Sequence, residues 1–154
     1  MAADLAEIAY HASLRSLDKQ EEVLAELRSR TAILVATSSL AASFLGEPAF
    51  DNGRPVAGTA ALVAFAISVG ASLYVLLPKR DLVFSLKGSK LYEELSEFGN
   101  DHDEVHRRLA YDLDRFWDEN DPKLVRARFW FRIAVVALAA EVALLLISLG
   151  ATLD

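Results

Sequence analysis

The chain has 154 residues, enough for one domain, of which 53% are hydrophobic and 25% charged, with a formal net charge of −6. It contains no cysteine, which excludes disulfides, thiolate metal sites and thiol catalysis, and its acidic balance argues against nucleic acid as a partner. Mean hydropathy is nonetheless positive, because apolar and charged residues fall in separate blocks.

Residues 1–30 predict an amphipathic helix, with Leu14, Leu17, Leu24 and Leu27 at helical spacing among charges. The stretch carries Asp4, Glu7, Asp18, Glu21, Glu22 and Glu26 and has no apolar region of the kind a signal peptide needs, so the span that follows is expected to act as its own insertion signal. Thr31 to Gly46 then contains no charge, and residues 31–47 are read as a first transmembrane helix. This run is short of the roughly 20 apolar residues a span requires. Leu27 lies one turn upstream, however, and Arg28 and Arg30 can snorkel from the boundary. With no Gly or Pro before Gly46, the two segments predict one continuous helix. Residues 48–54 form a hairpin.

Pro55 to Pro78 is also uncharged and predicts the second span. Ala60, Ala64, Ser68 and Ser72 recur every four residues along it, a small-residue face that lets helices approach closely. Tyr74, Lys79 and Arg80 suit an interface position at its end.

Residues 79–128 read as a helical insert. Leu91, Leu95 and Phe98 make one stripe, and Val105, Leu109, Leu113 and Phe116 a second. Gly99–Asn100 is expected to stop the first helix, with Asp101 capping the next. Asn120–Pro122 is expected to end that helix and begin another, with Pro122 at its first position. The third span covers residues 129–150, with a tail at 151–154. Its lead-in, "RARFWFR", places Arg126, Arg128, Trp130 and Arg132 as interface anchors rather than as a nucleic-acid surface. The fold class is therefore all-α: three transmembrane helices and a cytoplasmic helical module. A soluble bundle would need far more chain to cover helices that are apolar all round.

Fifteen of the sixteen basic residues precede the first span or lie between the second and third; only Arg54 falls in the hairpin. Taking the first group as cytoplasmic puts the N-terminus and the 79–128 insert inside, with the hairpin and Asp154 outside, in a bacterial inner membrane.

Three clusters invite chemistry. "HDEVH" at His102–His106 puts two histidines one turn apart, as zinc ligands can be. It lacks the glutamate directly after the first histidine that a metalloprotease needs, and Asp101 with Glu104 reads better as a capping box. The run Asp112, Asp114, Asp118, Glu119 and Asp121 lacks the ligand alternation and glycine of a calcium loop, so it reads as a solvated face. No metal, cofactor or catalytic residue is assigned, and an enzyme is not expected.

Glu141 is the third. From Ile133 to Leu153 it is the only charge, and an ionisable group at mid-membrane costs about 2.5 kcal/mol or more. Apart from the interface anchor Arg132, nine residues away near the start of the third span, no Lys, Arg or His lies in any of the three spans to pair with it. It is therefore protonated, hydrogen-bonded to hydroxyls at similar depth (Ser38, Ser39 and Ser68 are the candidates), or meets a second copy or a cation in an oligomer. Ala134, Ala137, Glu141 and Ser148 share one helix stripe, which turns the carboxyl inward.

The lead-in "LRSRTAILVATSSL", the exit "LYVLLPKR" and the return "KLVRARFWFRIAVV" give the layout helix, span, hairpin, span, helical insert, span. That layout resembles small bacterial membrane effectors of nucleotide-signalled antiphage defence, the Pycsar type and more loosely the SLATT type. It is also similar to uncharacterised three-span proteins of actinobacteria. The resemblance implies antiviral defence, a cytoplasmic region that senses a cyclic nucleotide, and spans that assemble in the bilayer. The expected function is an effector or regulator whose cytoplasmic helices change the packing around Glu141, acting as a homo-oligomer. The alternatives are a small ion channel or transporter subunit using Glu141, and a passive scaffold that recruits a protein to the membrane.

Overall fold

The computed structural model describes residues 2–51, 55–78, 82, 84 and 102–150. Among these there are three α-helices and no strand: α1 (Ala2–Asp51), α2 (Pro55–Leu76) and α3 (His102–Gly150). The Leu91–Phe98 stripe, the Gly99–Asn100 stop, the Asp101 cap and the anchors Lys79 and Arg80 lie outside the described residues. Two of the helices, α2 from Val56 and α3 to Leu149, are long and apolar enough to cross a membrane. The uncharged run of α1 is shorter and is diluted by Thr31, Thr37, Ser38, Ser39 and Ser43.

Each helix has local causes. No proline or glycine interrupts α1 before Gly46, and the helix continues to Asp51, four residues into the stretch read as hairpin. Pro55 opens α2, where its missing N–H would have had no partner in any case. At the other end Leu77 N–H donates to Leu73 O at 2.9 Å, and Pro78 then prevents another turn. Asp103 and Glu104 stand in the first turn of α3, where negative charge complements the helix dipole. Arg107 pairs with Glu104 at 2.6 Å on that exposed turn.

The expected break at Asn120–Pro122 does not occur. α3 runs unbroken through Pro122 for 49 residues. Leu113, Asn120 and Ala127, seven residues apart, are all buried, as is Leu124, so one packed stripe passes the proline on both sides. Tertiary packing thus overrides a local breaker that would otherwise end the helix.

The chain divides into two compact units, and both α1 and α3 contribute to each. Unit 1 comprises residues 1–25 and 79–125; unit 2 comprises residues 26–78 and 126–154. In α1 the division falls before Glu26, so Arg28 and Arg30 belong to unit 2, together with Leu27, which packs with Val75 and Ala127.

In unit 1 the buried stripe of α1 is Ser13, Leu17, Gln20 and Leu24, alternating steps of four and three. Leu109, Ala110, Leu113, Asn120 and Leu124 supply the stripe of α3. This spacing, 3.5 residues on average, is that of coiled-coil packing. Leu14, Val105 and Phe116, placed on the same faces by sequence, are only partly buried. Gln20 Nε2 donates to Trp117 O at 3.2 Å, one turn before Pro122. Tyr10 stacks on His106 at 5.5 Å between ring centroids, so that histidine of "HDEVH" packs against an aromatic ring. Asp112 and Glu119 both face Arg115, at 3.7 and 3.9 Å. These are solvated pairs, worth well under about 1 kcal/mol each.

Candidate functional site: a buried carboxyl in an apolar unit

The residue types of unit 2 invert those of an ordinary soluble core. Outward stand large apolar side chains, among them Ile33, Phe44, Leu62, Val63, Val136 and Leu146, each more than half exposed. Inward stand Thr31, Ser38, Ser68, Ser72, Glu141 and Ser148, none more than 1% exposed. Small and hydroxyl-bearing interiors with apolar exteriors are what helices packing in lipid adopt, since apolar bulk outside costs nothing there and close approach inside gains contact.

The seven-residue register explains which side chains turn inward. On α3 it continues from Ala127 through Ala134 and Glu141 to Ser148, all buried, with Ala137 and Leu145 beside them. On α2 it selects Ala61, Ser68 and Val75. The predicted four-residue face is corrected at one end: Ala64, Ser68 and Ser72 are buried, but Ala60 is only partly so and Ala61 takes its place. Steps of four advance about 40° past a full turn, so that series winds off the packed face, whereas steps of seven lag by only about 20°.

Among the described residues Glu141 accepts one hydrogen bond. Ser38 Oγ donates to its Oε2 at 2.6 Å, joining α1 to α3 across 103 residues of sequence. Oε1 is buried and has no hydrogen-bond partner among the described residues. Glu141 also lines a recess of about 90 Å³, with Ala42 and Gly46 of α1, Gly58, Ala61, Leu62 and Phe65 of α2, and Leu145 of α3. A Cβ added at Gly46 would meet nothing within 4 Å, so the position has open space around it.

Of the three hydroxyls expected near Glu141, the structure brings one to it. Ser39, one residue on from Ser38, points about 100° away; it is exposed and donates to Val35 O at 2.8 Å. Ser68 Oγ donates instead to Ala134 O at 3.2 Å, a contact possible only because both helices present small residues there. The carbonyl of Ala134 keeps its place in the α3 ladder, so Ser68→Ala should cost no more than about 1 kcal/mol in a detergent unfolding titration. Thr31 and Thr37 bond back to the carbonyls of Leu27 and Ile33 at 2.7 and 2.9 Å. The hydroxyls that shorten the apolar run of α1 are thus largely satisfied within it.

The expected anchors divide in two. Trp130 and Phe131 pack against the Leu27, Val75 and Ala127 cluster, and Tyr74 meets Trp130 at 5.3 Å. Arg126, Arg128 and Arg132 are exposed. Arg30 pairs with Glu26, whereas the partly buried Arg28 leaves its Nε without a partner.

Sequence reasoning missed the recess and the burial of Thr31, left Gln20 unread, and took the buried Asn120 for part of a helix break. Counting in sevens from Glu141 finds Ala134, Ala127 and Asn120 on α3; nothing comparable marks Gly46 or Gly58 before the helices are assembled. Among the described residues no group of three or more metal-ligating side chains comes together. No protein-family model, curated protein or solved structure matches the chain.

Proposed function

We propose that the chain is a bacterial inner-membrane effector or regulator with three spans, its N-terminus cytoplasmic and its C-terminus outside. Signals reach it at unit 1 and change the packing of unit 2 around Glu141. The observation that carries this reading is the Ser38–Glu141 hydrogen bond at 2.6 Å, with the other carboxyl oxygen left unpartnered inside an apolar unit. A buried carboxyl half-satisfied in this way is a poor stabiliser, and ionisable groups at membrane depth are commonly retained for function. That α1 and α3 each run through both units supports a mechanical connection. Fifteen basic residues on one side support the orientation, and the layout resemblance names a cyclic nucleotide as the signal to try first.

The test is expression in a bacterial host with three readouts: membrane retention after alkaline washing, growth, and membrane potential followed with a dye. Wild type should stay in the washed membrane and depolarise cells, and Glu141→Gln should remove the depolarisation without removing the protein. Depolarisation that persists in Glu141→Gln takes that residue out of the mechanism. A harmless protein that co-purifies with a second chain supports the scaffold reading instead.

A second reading, a small channel or transporter subunit, is favoured by the recess. A carboxyl-bearing side chain lining about 90 Å³ of space offers a resting place for a proton or a small cation. Purified protein in liposomes should then pass protons or monovalent cations, and Glu141→Gln should abolish that flux.

A further inference from the structure

A second feature of unit 2 is a groove that Glu141 does not line. It measures about 520 Å³ and runs between α2 and α3. Ala64, Ala137 and Ala140 keep it open, Ile67, Phe129, Ile133 and Val136 make its walls apolar, and Arg132 is its one charged lining residue. Arg132 is exposed and makes no ion pair among the described residues. From Arg132 to Ala140 the helix rises about 12 Å, every residue between them uncharged. An apolar groove with one exposed guanidinium in its lining has the polarity of an amphiphile with an anionic head.

We propose that this groove is a binding site for an anionic phospholipid of the cytoplasmic leaflet. One acyl chain lies along the Ala64, Ala137 and Ala140 floor, and the phosphate sits on Arg132. Three observations converge on that occupant. Arg132 is the last basic residue before the apolar stretch from Ile133, whose one charge is Glu141; that places Arg132 at headgroup depth once the span is in a bilayer. Guanidinium groups hold phosphate oxygens in a two-point geometry that a zwitterionic headgroup, carrying its own cation, satisfies less well. Arg128, one turn earlier and also exposed, adds positive charge on the same side of α3. The inference rests on the membrane reading above but not on any role for Glu141.

The experiment uses full-length protein purified in a non-ionic detergent, with dioleoyl phosphatidylglycerol or dioleoyl phosphatidylcholine added. Bound lipids are counted by native mass spectrometry and thermal midpoints recorded. The variants are wild type, Arg132→Gln, Ala140→Trp (a lipid-facing position that fills the groove without entering the core) and Arg15→Gln as a control in unit 1. Wild type and Arg15→Gln should retain phosphatidylglycerol at least about tenfold better than phosphatidylcholine. Arg132→Gln should bind the two alike, and Ala140→Trp should retain neither at this site.

Equal retention of both lipids by wild type overturns the proposal, as does an undiminished preference in Arg132→Gln. A dimer that Ala140→Trp converts to monomer, with no lipid retained by wild type, overturns it in favour of a second copy in the groove. Loss of the protein from alkaline-washed membranes is a separate result; it would defeat the membrane reading itself, independently of lipid preference.

Discussion

Ser38→Ala should destabilise the protein by about 1–3 kcal/mol, while Glu141→Leu should leave it as stable as wild type or more so. The asymmetry comes from what each change orphans. Removing the Ser38 hydroxyl strips Oε2 of its one partner, and Oε1 already has none, so a carboxyl only 1% exposed is left wholly unsatisfied. Removing the carboxyl orphans only a hydroxyl. On an α-helix that hydroxyl can turn back to the carbonyl four residues earlier, here Leu34, as Thr31, Thr37 and Ser39 of the same helix already do. Leucine is close to glutamate in volume and leaves no oxygen facing the recess.

Denaturant titration of both single variants and of the pair, closed into a double-mutant cycle, measures the effect; the coupling should be about 1 kcal/mol, the usual size for hydrogen bonds between membrane helices. If Glu141→Leu costs as much as Ser38→Ala, the carboxyl is packing glue and the recess holds a donor the protein needs for stability. If Glu141→Leu is neutral or stabilising while depolarisation is lost, the carboxyl is kept for what it does rather than for what it holds.

How far Glu141 could be understood before the helices were assembled depends on which signal is asked for. Its inward direction was legible because Ala134, Ala137 and Ser148 mark one face of α3, and small residues are informative in a helix whose other faces are large and apolar. Its partner was legible only as a set of three, since depth along a helix can be counted but rotation about a second helix cannot. Ser38 and Ser39 differ by about 100° of rotation, and only one of them reaches α3.

On α2 the same difficulty displaced the packed face by one residue at Ala60. The helix is apolar on every side, so hydrophobicity carries no phase, and the choice between steps of four and steps of seven was left to residue size alone. In unit 1 the opposite holds. Charges fix the phase of α1, and Leu17 and Leu24 lie on the packed stripe. Gln20 was passed over because a glutamine at a packed position looks from sequence like one more surface polar group. Its burial needs the carbonyl of Trp117, 97 residues away.

Pro122 was the strongest local signal in the chain and gave the wrong boundary, which makes its replacement the sharpest test of the continuous α3. Within a helix, proline removes one N–H, here the donor to the carbonyl of Asp118, and its ring crowds that carbonyl. The cost relative to alanine is about 3 kcal/mol in a helix interior. Pro122 is exposed, so alanine there opens no cavity, while the residues that lock the turn, Gln20 through Trp117 O and the buried Asn120, stay in place. Pro122→Ala should therefore stabilise the protein by about 1–3 kcal/mol. The lower end applies if the packed stripe has adapted to a bend at this turn. Unfolding midpoints and helical circular dichroism, with Lys123→Ala as a neighbouring control, read the effect. A break at this position would instead make proline favourable at the first turn of a new helix, and Pro122→Ala would then be neutral or destabilising. A stabilised Pro122→Ala that no longer depolarises cells would mean that the weak turn beside Gln20 and Asn120 is kept for movement, and that unit 1 is where the response to a signal begins.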